Sequence, residues 1–260
     1  MKISRALPLI PFALLMSGAM SGGLSGATAS ASEALNVLFI GNSLTYTNDL
    51  PAMIAELAKA GGQASFVHAS ETPGGCTFKK HWEDGKALKM IHGKPWDFVV
   101  LQEYSDMAVS DPAEMEKYGR LLNDAVTAHG SRTLWYLTWA HVDHPEQQAA
   151  ITKAYTGLSA ETKGILVPAG VAWDHFRTAH PTVNIYNDIK HPDPTGTYLV
   201  ACVFYGVLYH ASPVGLPGAP AHLDADLARE CQEIAWAAVQ AGALSATSAA
   251  TAAATAGAAR

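Results

Sequence analysis

Three residues carry the chemistry this sequence can support: Ser43, near one end of the chain, and Asp188 with His191, near the other. A serine hydroxyl attacks a carbonyl when an imidazole takes its proton, and a carboxylate beside that imidazole holds its tautomer and stabilises the imidazolium. Asp188 and His191 stand three residues apart in Asn187-Asp188-Ile189-Lys190-His191-Pro192, so the carboxylate can orient the ring from its own loop. Each residue also has a plainer reading. Serine often caps a helix, and an isolated D-x-x-H is commonly a solvated surface loop.

The elements that must position these groups are readable from periodicity. Asn36 to Ile40 is an apolar strand that runs into the Gly41-Asn42-Ser43 turn, and an amphipathic helix follows from Leu50 to Lys59. A serine on such a turn sits at the C-terminal edge of a sheet, where open α/β folds bind ligands. Further strands are expected at Ala64–His68, Asp97–Gln102, Thr133–Leu137 and Ile165–Val167. Helices are expected within Thr77–Ile91 and over Pro112–His129, Pro145–Leu158, Val171–Thr178, Pro194–Tyr209 and Asp224–Gln240. This alternation predicts an α/β fold, a three-layer α/β/α sandwich around a flavodoxin-like parallel sheet of about five strands.

Residues 1–31 read as a secretory signal peptide: Lys2 and Arg5, an apolar run to Met16, then small residues up to Ala31. That run is too short and too interrupted by prolines for stable membrane insertion, so a secreted or periplasmic product is expected. Cleavage leaves 15 basic against 23 acidic residues and moves the formal charge from −6 to −8, which gives no electrostatic reason to bind nucleic acid. The single ordered domain spans 32–244. The Ala/Thr/Ser tail, 245–260, reads as low-complexity and disordered, with enough alanine for fraying helix. Cys76, Cys202 and Cys231 form no paired metal or redox motif, and Cys202 lies in an apolar run that suits a buried thiol.

The two chemical stretches together resemble the SGNH (GDSL-like) hydrolase superfamily. Gly41-Asn42-Ser43-Leu44-Thr45 matches its first block, G-(D/N)-S-x-(T/S) after a strand, and Asp188-Ile189-Lys190-His191-Pro192 matches its last, D-x-x-H-P. The G-x-S-x-G elbow of another serine-hydrolase fold is not met, because Thr45 replaces its second glycine. The resemblance implies a Ser43–His191–Asp188 triad that needs no cofactor and no metal, and an oxyanion hole built from the N–H groups of Ser43 and Gly75, with Gly74 as the other candidate. The family's third block, G-x-N-D, is absent. Val100-Leu101-Gln102-Glu103 stands there, so Gln102 is expected to donate in place of the missing asparagine.

Trp139 is a candidate wall of the substrate pocket or an ordinary core aromatic. Glu103 and Asp106 either tune the site or face solvent. His141 and His144 lie at the same sheet edge without the spacing of a helical zinc motif, and His81 and the other scattered histidines read as structural or exposed. The expected activity is a serine esterase acting on a small-molecule or carbohydrate ester, with short acyl chains. The alternatives are acyl transfer to a sugar hydroxyl and a non-catalytic carbohydrate-binding protein on the same fold.

Overall fold

The computed structural model describes residues 34–258, with side-chain surroundings to residue 243; the expected leader, 1–31, lies outside the described residues. Five parallel strands form one sheet in the order β2-β1-β3-β4-β5: β1 (Leu35–Ile40), β2 (Phe66–Glu71), β3 (Phe98–Leu101), β4 (Arg132–Tyr136) and β5 (Ile165–Val167). Alternation along the strands builds two cores. Val37, Phe39, Val100, Leu134, Tyr136 and Val167 face one side, and Leu38, Ile40, Val99, Leu101 and Trp135 face the other. Helices α2 (Leu50–Ala60), α8 (Ala169–Ala179), α9 (Pro194–Tyr209) and α10 (Ala225–Ala258) cover the first face. Helices α3 (Phe78–Asp84), α4 (Lys86–Gly93), α6 (Pro112–Ala128) and α7 (Gln148–Thr162) cover the second. Two one-turn helices, α1 (Ser43–Tyr46) and α5 (Met107–Ser110), follow β1 and β3. This is the three-layer sandwich expected from the alternation.

The differences from the sequence reading are local. Ser43 is itself the first residue of a helical turn, α1, capped by the Asn42 side chain accepting from Leu44 N–H. Asn48 and Asp49, both at φ +54°, then separate this turn from α2. The segment expected to carry one helix holds two, α3 and α4, because Gly85 at φ +70° ends the first. The backbone of the Ala/Thr/Ser stretch, expected to be disordered, continues α10 as helix to Ala258, the conformation its alanine favours. Among the described residues, no helix is long and apolar enough to cross a membrane.

From β1 the chain moves outward to β2 and then crosses back to β3 on the other side of β1. The connections therefore diverge at the C-terminal ends of β1 and β3, which opens a crevice at that edge. Ser43 follows β1 and Gln102-Glu103 follow β3, so the topology alone brings these groups to the crevice.

Candidate active site

The Gly41-Asn42-Ser43 turn is held from three directions. The Gln102 side chain accepts from Asn42 N–H at 2.9 Å and from the Thr45 hydroxyl at 3.0 Å. His81 on α3 is buried, and burial lowers its pKa despite the Gly41 carbonyl beside it. The neutral ring donates Nε2–H to that carbonyl at 2.7 Å. Asn42 Nδ2 donates to the Cys76 carbonyl at 3.0 Å, which fastens the turn to the loop carrying Gly75. Only glycine fits at 41, since an added Cβ would lie 2.5 Å from Gln102 Oε1 and 2.8 Å from Thr45 Oγ1.

Across the crevice, His191 Nε2 lies 2.8 Å from Ser43 Oγ, and His191 Nδ1 lies 2.7 Å from Asp188 Oδ2. An ionised carboxylate only accepts, so Nδ1 carries the proton and Nε2 is free to accept from the serine. Asp188 Oδ1 also accepts from Lys190 N–H and His191 N–H, each at 2.8 Å. Partial burial works against ionisation of Asp188, but these two N–H groups and the His191 ring outweigh it and hold the carboxyl below the usual range.

The loop bearing both residues is clamped by main-chain and side-chain contacts. Asn187 N–H donates to the His191 carbonyl at 2.8 Å and Val142 N–H to the Ile189 carbonyl at 2.9 Å. Asn48, past the serine turn, donates to the Pro192 carbonyl at 3.0 Å and to the Thr197 hydroxyl at 2.9 Å.

Trp139 is not a pocket wall. It is 1% exposed, stacks on Trp173 at 3.9 Å, and donates its indole N–H to the Lys190 carbonyl at 2.9 Å. Its polar handle reaches the histidine loop from within the core, a use of tryptophan that sequence cannot separate from lining a pocket.

The oxyanion side differs from expectation in one donor. Gly75 is exposed, at φ +68°, in a turn closed by Cys76 N–H to the Pro73 carbonyl at 3.1 Å. Neither Gly75 N–H nor Ser43 N–H meets an acceptor among the described residues, so both remain available. Gln102 is 0% exposed, and its two amide hydrogens go to Asn42 Oδ1, at 3.0 Å, and to the Glu103 carbonyl. In this arrangement it has no hydrogen left for an oxyanion; its longer stem folds the amide under the serine turn.

Glu103 does not face solvent. It is 1% exposed and holds two main-chain N–H groups. His141 binds Asp106 at 2.9 Å and Ser105 at 3.1 Å, whereas His144 turns to Glu146 at 3.2 Å, so this pair does not converge on one point. All three cysteines are free and buried. Sequence reasoning missed Asn48 and Lys190, whose ammonium meets the Tyr104 hydroxyl at 2.9 Å, and read His81 as structural or exposed without its contact to Gly41. Their partners are remote in sequence, and no spacing signals them.

A parallel sheet in this order is a fold shared with solved structures that include SGNH- and GDSL-type hydrolases and esterases. A DUF4886 family protein from Bacteroides uniformis superposes with TM-score 0.67 at 19% identity, covering 80% of this chain and 95% of that one. An acetyl xylan esterase, AlAXEase, superposes with TM-score 0.55 at 17% identity over 66% of this chain and 98% of its own. A member of the lipolytic protein G-D-S-L family from Veillonella parvula gives 0.54 at 12% identity over 68% and 100%. No protein-family model matches the sequence, and no curated protein does.

Proposed function

We propose that the protein is a serine esterase that hydrolyses carboxylic esters through an acyl-serine at Ser43. The observation that carries this is the unbroken chain from Ser43 Oγ through the His191 ring to the Asp188 carboxylate, with contacts of 2.8 and 2.7 Å. His191 Nε2 takes the hydroxyl proton as Ser43 Oγ attacks the ester carbonyl carbon. The oxyanion forms against the N–H groups of Ser43 and Gly75. The alcohol departs with the proton from His191, and water repeats the sequence in reverse roles to release the acid. No step requires a cofactor.

The substrate class we favour is a short acyl ester, with carbohydrate as the alcohol, handled outside the cytoplasm. Support for it is indirect: the leader-like residues 1–31 and the name of one structural neighbour, an acetyl xylan esterase. The test is labelling by a fluorophosphonate probe and turnover of p-nitrophenyl acetate against longer acyl chains. Wild type should label and turn over, and Ser43→Ala should do neither. A folded wild type that neither labels nor turns over any chain length would refute the esterase and favour a binding protein on this fold.

A further inference from the structure

Glu103 is a buried carboxyl that the proposed mechanism does not use, and its contacts reach the oxyanion loop. Phe78 N–H points between its two oxygens, at 3.0 and 3.1 Å, and Tyr104 N–H meets Oε1 at 2.6 Å. Phe78 is the first residue of α3, directly after Gly75-Cys76-Thr77. That four-residue segment is therefore fixed at two points, by Asn42 on the Cys76 carbonyl and by Glu103 on Phe78 N–H. The preceding residue, Gln102, holds the serine turn from the same strand end. Two consecutive residues after β3 thus grip the two loops that carry the candidate oxyanion donors.

We propose that Glu103 is a positioning residue: its carboxylate holds the Gly75 turn in register with Ser43, and the hold loosens when that carboxylate is protonated. The proposal rests on the esterase reading above for its catalytic consequence, though the hold is a property of the loop itself. Charge-assisted hydrogen bonds are about twice as strong as neutral ones. Protonation therefore weakens the grip on Phe78 without abolishing it.

The charge state changes near neutrality. Burial pushes the Glu103 carboxyl up to about 7, against the pull of the Tyr104 and Phe78 N–H groups. The titratable groups facing it are Glu114 on α6, which raises it further, Tyr155 on α7, and Cys76 in the oxyanion loop. The Tyr155 hydroxyl accepts Glu103 N–H at 3.1 Å. Burial pushes the phenol well above its ordinary value and the thiol up to about 11, so neither changes charge near neutrality.

Two measurements test this. In Glu103→Gln, with fluorophosphonate labelling used to verify a competent Ser43, kcat for p-nitrophenyl acetate should fall about tenfold with KM within about twofold. That loss is a fraction of what removing a whole oxyanion donor costs. The acidic limb of kcat/KM should also become shallower by the one proton that Glu103 contributes in the wild type. In the wild type, hydrogen exchange of the Cys76 and Phe78 amides, corrected for the intrinsic rate, should show protection that rises through pH about 7.

A variant with unchanged kcat and an unchanged acidic limb would overturn the catalytic role. Exchange protection that is flat with pH would overturn the hold itself. The exchange experiment needs neither turnover nor a folded variant, so it decides the proposal even if the wild type hydrolyses no ester and the esterase reading falls.

Discussion

Asp188 is half exposed, yet each of its oxygens is committed: Oδ2 to the His191 ring and Oδ1 to two main-chain N–H groups. Its carboxyl is held below the usual range, so the associated stability is fully present above the ordinary aspartate pKa and is lost as pH falls through the lower folded value. Asp188→Asn should cut kcat by about 10⁴, the scale set by a serine-protease triad whose aspartate is amidated. The gap in Tm between wild type and mutant should be widest near neutrality and close toward acid; a gap independent of pH would break the linkage. Gln102 allows a sharper contrast. An oxyanion donor costs activity alone when removed, whereas a brace costs stability too. Gln102→Ala leaves buried Asn42 N–H and the Thr45 hydroxyl without their acceptor, while Asn42 Oδ1 keeps Leu44 N–H, and at roughly 1–3 kcal/mol per buried group left unpaired the loss should be about 3 kcal/mol. Calorimetry showing lost activity at an unchanged Tm would return Gln102 to the donor role. The block-like spacing made Ser43, Asp188 and His191 legible in sequence. The use of Gln102 was not legible, because an amide's direction depends on which atoms fold over it.

At the scale of elements, the chain spends much of its polar bonding on two short segments, the turn after β1 and the loop before α9. Pro194 sits at the start of α9, with the Asp193 side chain accepting from Gly196 N–H at 2.8 Å, which is why the helix boundaries read from sequence and those in the structure coincide there. The loop ahead of it had no such signal, since its clamps come from Trp139, Val142 and Asn48. Trp139→Phe keeps a ring to stack on Trp173 but deletes the N–H to the Lys190 carbonyl. The expected cost is about 1 kcal/mol of stability, together with a several-fold fall in kcat at nearly constant KM, since a small misplacement of the base penalises the reaction more than binding. A rise in KM alone would instead return Trp139 to lining the pocket.

For the molecule as a whole, periodicity specified the class of fold because strands buried on both faces read as continuous apolar runs between amphipathic helices. Strand order was beyond it: nothing local in β2 says that the chain must cross back past β1, and that crossing creates the crevice. The helix that closes the fold shows how far the cooperative unit extends. In α10, Ala228, Cys231, Ala235 and Ala238 are buried at helical spacing, and Gln232 donates to the Tyr198 hydroxyl at 2.6 Å and to the Leu216 carbonyl at 2.8 Å. These residues cover α9, in which every position from Thr195 to Leu208 is buried. A chain ending at Asp224 would open that apolar helix to water and leave the Tyr198 hydroxyl without its glutamine, so it should be insoluble or molten, without a cooperative transition. A chain ending at Ala243 keeps all four buried positions and Gln232, and should melt within about 2 °C of the full chain, since about 1 kcal/mol corresponds to 2–4 °C at this size. Its turnover of p-nitrophenyl acetate should match the full chain's. A large loss of Tm on removing 244–260 alone would mean that the end of α10 contributes to the folded core.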